Sequence, residues 1–335
     1  MRIAIIGVGG VGGCLGAALL RAGHDMLFVA RGKNARALQR RGLAVRHVLE
    51  GPGGGRGGAS RSALEPAGIE RSSSARGSFA QRRINVVANP AGQPPVEAAL
   101  LCMKRYDLFE AVQTHAGWLA SCGSVITLQN GLDAPRTAAG LLPAGKVVGG
   151  TVQVVAKLLE PGVILREGGA LHINLARPDG ETTERLQRLH AALAATEISS
   201  DIHRNMETML WLKFLMVACS SSINAAMRSG FDAMSGNPAM PWLLDIAMQE
   251  ALAVAHALAV PLPTNIEART RATLRKVFAH GGKASLLTDL EYGRPLELEW
   301  LSGAIHRMGE QAGVPTPLHT AIYRELLPLA AGARR

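Results

Sequence analysis

Lys213 is the one charged residue in "MLWLKFLMVAC", with ten apolar neighbours from Met209 to Cys219. A lysine there either snorkels, its stem packed and its head in water, or is kept short of water for acid–base work. Three other places carry residues suited to chemistry. Lys104 closes the apolar run "LLCMK". Asn130 lies in "LQNG", again at the end of an apolar run, although Asn-Gly is also an ordinary turn. "SLLTDLEYGRPLELEW" brings Ser285, Asp289 and Glu297 within thirteen residues. Glu297 falls near the start of a helical run, where an acid is also favoured by the helix dipole alone.

These groups need elements to position them, and the N-terminus supplies the clearest. "RIAII" reads as a buried strand, "CLGAALLRAGH" as a helix and "MLFVAR" as a second strand. Between the first two lies Gly7-Val8-Gly9-Gly10-Val11-Gly12, a GxGxxG turn in the strand–turn–helix context that gives it a mechanism. Gly7 allows the tight turn, Gly9 admits a pyrophosphate against the backbone, and Gly12 lets helix and strand pack closely. No acid follows between Met26 and Leu49 to hold the ribose hydroxyl of NAD. Arg31 ends the second strand instead, with Lys33 and Arg36 behind it. This pattern suits a 2′-phosphate, so NADP(H) is the expected cofactor. Taken singly, Lys33 and Arg36 also fit a solvated helix face.

Further apolar runs, "INVVANP", "VEAALLCMK", "SVITLQNG" and "KVVGGTVQVV", alternate with helical stretches and indicate a parallel α/β sheet. Beyond about residue 200 the chain reads as helices punctuated by Gly-Gly, Pro-Leu-Pro and Gly-Val-Pro. The expected architecture is α/β. A Rossmann-type NADP-binding domain spans 1–200, an all-helical substrate and catalytic domain spans 201–335, and the site lies in the cleft between them.

The formal charge of +10 would suit nucleic acid, but its distribution argues against that. Arg31 to Arg83 holds 12 Lys/Arg and 3 acids, leaving 24 and 23 in the rest of the chain. Aromatics are scarce, so base-stacking surfaces find no support. Residues 51–78 are rich in Gly, Ser, Arg and Ala, and read as an insertion too polar to pack. Ile3 to Leu20 is uncharged, but six glycines make it a poor membrane helix. Four scattered cysteines without a CxxC pair fit a cytoplasmic protein, and the histidines lack metal-ligand spacing. We therefore expect no nucleic acid, membrane or metal partner, and a monomer or homodimer.

In order, Arg31, Lys104, Gln129-Asn130-Gly131, Trp211-Leu212-Lys213, then Ser285, Asp289 and Glu297 with Gly303 and Pro317, resemble the ketopantoate reductase (2-dehydropantoate 2-reductase) family. The resemblance covers most of the chain outside 51–78. It implies NADPH-dependent reduction of a small 2-oxo acid, with ketopantoate as the first candidate, in pantothenate biosynthesis. By the same resemblance Lys213 is the general acid, Glu297 binds a substrate hydroxyl or the nearby ammonium, and Ser285 holds the substrate carboxylate. Asn130 orders nicotinamide and substrate, and Lys104 and Arg31 bind the phosphate end of the cofactor. A hydride arriving at the oxo carbon builds alkoxide charge, which a poorly solvated ammonium stabilises and protonates.

One position departs from the family. Members that reduce ketopantoate typically carry Asn four residues after the lysine, where this chain has Val217. Ser220, Ser221, Ser222 and Asn224 follow within two turns as substitutes or as helix packing. Two other readings fit the residues: a β-hydroxyacid or 6-phosphogluconate type dehydrogenase, and a non-catalytic NADP-binding regulator.

Overall fold

The computed structural model describes residues 1–48 and 78–333; all of the glycine- and serine-rich stretch at 51–78 except Ser78 lies outside them. β1 (Arg2–Ile6) runs through the glycine turn into α1 (Gly10–Arg21) and back into β2 (Asp25–Val29). α2 (Gly32–Arg41), β3 (Leu43–His47), β4 (Phe79–Gln81), β5 (Asn85–Val87) and β6 (Ala98–Leu101) follow. Next come α3 (Arg105–Ser121), β7 (Ser124–Thr127) and α4 (Ala134–Ala139). A long hairpin of β8 (Val147–Glu160) and β9 (Val163–Ala176), then α5 (Glu184–Ala194) and β10 (Ser199–His203), complete the sheet.

The strand order is β4-β3-β9-β8-β7-β6-β1-β2-β5, with β10 also paired to β9. The six strands from β8 to β5 are mutually parallel, as the sequence predicts for a Rossmann-type sheet. β1 shows why. Ile3 and Ile5 face the core under α1 and α5, while Ala4 and Ile6 face the core under α3 and α4. Both faces are buried, so the strand reads as a continuous apolar run. The chain leaves β1 for β2 on one side and pairs with β6 on the other, which puts the crevice of the sheet at this switch point.

By sequence, "KVVGGTVQVV" reads as one more strand of a parallel series. The structure adds that β8 pairs antiparallel with β9, and β3 with β4, so the sheet is mixed. Pro161-Gly162, with Gly162 at φ +83°, supplies the tight turn between β8 and β9. This arm folds back over α1. A Cβ at Gly10 would stand 2.4 Å from the Ala156 carbonyl oxygen, so the third glycine of the turn, outside the GxGxxG positions, makes room for β8.

From Met206 onward the described residues form only helices: α6 (Met206–Ala226), α7 (Phe231–Ser235), α8 (Met240–Ala257), α9 (Ile266–His280), α10 (Ser285–Glu291), α11 (Ser302–Ala312) and α12 (Pro317–Leu326), with short 3-10 turns. Asn205 caps α6, its side chain accepting from Thr208 N at 2.8 Å. α6 is long and apolar enough to cross a membrane, yet most of it is buried as the central helix of this domain. α8, α9, α10 and α12 pack on it, and β8 touches it from the sheet domain. That burial all round explains why its sequence lacks a polar face.

Candidate functional site

The glycine turn is shaped by close approaches and one open face. Gly7 has φ +94°, and a Cβ there would stand 2.6 Å from Met103 N. At Gly12 a Cβ would meet the Gly7 carbonyl oxygen at 2.1 Å. At Gly9 it would meet nothing within 4 Å. No side chain caps α1, and no acid lies in its first turn. An open, side-chain-free helix start of this kind fits a pyrophosphate. Val8 is buried, and its carbonyl oxygen accepts from Asn34 Nδ2 at 2.7 Å, while Asn34 Oδ1 accepts from Gly162 N at 2.8 Å. Asn34 thus ties the turn to α2 and to the β8–β9 arm, a role its place between two basic residues did not reveal. Arg31 precedes α2 with an exposed guanidinium, 3.7 Å from Glu110 on α3.

Lys104 stands between β6 and α3, on the chain segment that Gly7 approaches. Its Nζ donates to Asp289 Oδ2 at 2.7 Å and to Glu297 Oε2 at 3.2 Å, both in the helical domain. Burial alone would lower the pKa of this lysine, but the Glu297 and Asp289 carboxylates outweigh it and hold the ammonium above the usual lysine range. Glu297 does sit at a helix start, just before the 3-10 turn Leu298–Trp300, but its side chain caps a helix of the other domain. Its Oε1 accepts from Arg105 N at 2.9 Å, in the first turn of α3, which has no cap of its own. Asn130 Nδ2 lies 3.4 Å from the same Glu297 Oε2.

Arg105 was not singled out from the sequence, though it follows Lys104 directly. Its guanidinium is buried and bonds Asp133 twice, at 2.9 and 2.7 Å, and Thr137 Oγ1 at 2.6 Å. It lies 5.1 Å from the ring centre of Trp300, across the cleft. Gln129 is buried, and its amide nitrogen donates to the carbonyls of Leu101 and Met103, joining the ends of β6 and β7.

Lys213 reaches the cleft from α6. Its Nζ donates to the Val152 carbonyl oxygen of β8 at 2.8 Å. Desolvation lowers its pKa to about 8, against an opposing pull from Glu297. The two groups sense each other without an ion pair, because Lys104, Arg105 N and Asn130 already occupy the Glu297 oxygens. Lys213 lines a crevice with Leu210, Phe214 and Val217 of α6, facing Gln129, Asn130, Gly131 and Thr151. Its volume is about 10 Å³, room for about one water.

Of the residues named from the sequence, Lys104, Asn130, Asp289 and Glu297 meet in one network, and Lys213 shares a crevice with Asn130. Ser285 begins α10 and is exposed. Two of the polar residues after Val217 serve packing. Ser220 bonds back to Met216 O at 2.7 Å, and Asn224 Oδ1 accepts from Ala284 N at 3.0 Å, fixing the start of α10.

A glycine-turn sheet domain, a helical partner and a desolvated lysine in the crevice between them define a two-domain, nicotinamide-dependent oxidoreductase. The chain belongs to the ketopantoate reductase family. Residues 3–52 and 55–179 match "Ketopantoate reductase PanE/ApbA", and residues 205–329 match its C-terminal counterpart. The 2-dehydropantoate 2-reductase of Mesorhizobium japonicum is 27% identical, over 98% of each chain. The crystal structure of 2-dehydropantoate 2-reductase from Geobacter metallireducens shares the fold at a TM-score of 0.82 and 22% identity, covering 98% of this chain and 99% of that one. D-mandelate dehydrogenase, solved as a ternary structure with NADH and anilino(oxo)acetate, shares it at 0.82 and 16%, over 98% of each.

Proposed function

We propose that this protein reduces a 2-oxo acid to the 2-hydroxy acid with NADPH, as its family resemblance implies for ketopantoate. The observation that supports it most is Lys213: an ammonium in a narrow crevice beside Asn130, its pKa lowered to about 8 by desolvation. When bound, the reduced nicotinamide supplies a hydride to the oxo carbon. The carbonyl electron pair then becomes alkoxide, and Lys213 Nζ both stabilises that charge and gives it a proton. To do so the lysine gives up its bond to Val152 O. Asn130, held by Glu297, orients substrate and nicotinamide, and Ser285 takes the substrate carboxylate when the cleft engages.

The backbone N–H groups of Gly9, Gly10, Val11 and Gly12 hold the pyrophosphate, with Gly7 shaping the turn and Val8 anchored through Asn34. Arg31 holds the 2′-phosphate, which selects NADPH over NADH. The family resemblance implies that Lys104 binds the phosphates as well. Its contacts here favour a different duty, in which Lys104 positions Glu297 and Asp289 across the cleft. A reducing, cytoplasmic location fits the four free cysteines. The direct test is oxidation of NADPH and NADH against a panel of 2-oxo acids. Turnover with NADPH preferred supports the reading, and no oxidation with any of them overturns it.

A further inference from the structure

We infer that the preferred substrate carries a purely hydrocarbon substituent on C3, without the hydroxyl that ketopantoate bears there; this rests on the reductase reading above. Leu210, Lys213, Phe214 and Val217 are spaced i, i+3, i+4 and i+7, so they form one face of α6. Leu210 lies about 4.5 Å before Lys213 along the helix axis and Val217 about 6 Å after it. A carbonyl oxygen on Lys213 Nζ therefore lays the rest of a small oxo acid along a wall of leucine, phenylalanine and valine. None of these offers a hydrogen bond.

The facing wall offers little in compensation. Gln129 gives its amide nitrogen to Leu101 O and Met103 O, and its oxygen accepts from Leu128 N at 3.2 Å. Thr151 Oγ1 accepts from Asn174 at 3.1 Å. Glu297, the acid that could accept a substrate hydroxyl, is buried and holds Lys104, Arg105 N and Asn130 instead. Beyond Val217, Ser220 and Asn224 do not replace the missing polar contact, since both are bonded within the helical domain. A substrate hydroxyl brought against Val217 would lose water and meet only hydrocarbon on the α6 side.

The test is a pair of substrates differing by one hydroxyl: 3,3-dimethyl-2-oxobutanoate and its 4-hydroxy derivative, ketopantoate. kcat/KM is measured for both with NADPH on the full chain. The expected result is a preference of about tenfold or more for the compound without the hydroxyl. Val217→Asn should reduce or reverse that preference, and the near-isosteric Val217→Thr should move it the same way should the Asn variant fold poorly. Equal rates, a preference for ketopantoate, or a ratio unmoved by either variant would overturn the inference while leaving the reductase reading intact. Turnover of neither compound, with other 2-oxo acids also inert, would overturn both.

Discussion

Lys104 enters the cleft from the end of β6, and Lys213 enters it from the middle of α6. Both ammonium groups lose water on folding, and in each case desolvation is the largest influence on the pKa and acts to lower it. They end on opposite sides of the ordinary lysine value. Lys104 touches two carboxylates, at 2.7 and 3.2 Å, and its proton is locked in place. Lys213 touches one backbone carbonyl, and its pKa falls to about 8. The difference teaches how one cleft separates duties. Where an acid is in contact, the partly buried lysine becomes a fixed cation that joins two domains. Where the acid is kept one neighbour away, the lysine keeps a lowered pKa, which suits the proton-donor role proposed for it.

The sharpest way to break this comparison is to remove the donor. Lys213→Ala should lower kcat by about 10²–10⁴-fold, with NADPH binding retained, because the lysine serves the substrate oxygen and not the phosphates. Retention of more than a tenth of the activity would make Lys213 a packing residue. A smaller effect lies at the cofactor end, away from both lysines. Arg31→Ala should cost NADPH about tenfold or more in affinity and leave NADH nearly unchanged, measured by fluorescence titration of both. Equal losses would remove Arg31 from the 2′-phosphate.

Lys104→Met should act mainly on stability. Removing one partner of a fully buried ion pair costs about 3–5 kcal/mol, but the Lys104 side chain is 35% exposed, so about 1–2 kcal/mol is expected in a denaturant titration. The same variant sharpens the comparison through its pH profile. With Lys104 gone, Glu297 is free to turn to Lys213, and the Lys213 pKa should rise. A profile identical to wild type would show that the two lysines are independent.

How much of this was legible in the sequence differs by residue. The glycine turn was readable because strand, turn and helix are contiguous, and its three spaced glycines answer to local sterics. Lys213 stood out because its desolvation is written in its immediate neighbours. Glu297 was legible as an acid near a helix start, but the helix it caps begins 192 residues away. Arg105 and Asn34 make contacts set by sheet order, which no local pattern encodes. The antiparallel β8–β9 arm escaped notice for the same reason: a parallel and an antiparallel buried strand carry similar apolar runs, and only the pairing separates them. The low-complexity stretch at 51–78 was a compositional reading, and it lies almost wholly outside the described residues.

The central claim is that burial tunes Lys213 to donate a proton near neutral pH, and the pH dependence of 2-oxo acid reduction tests it most directly. The donor must be protonated, so with a pKa of about 8 the rate holds at lower pH and is lost as pH rises through that value. The reverse oxidation needs the neutral amine and should gain over the same range. kcat/KM measured from pH 6 to 10 should fall about tenfold per unit above roughly pH 8, and Lys213→Arg, which keeps the charge but does not release its proton, should lose both the activity and that limb. A wild-type profile flat to pH 10, or a limb at pH 8 that survives in Lys213→Arg, would contradict the account.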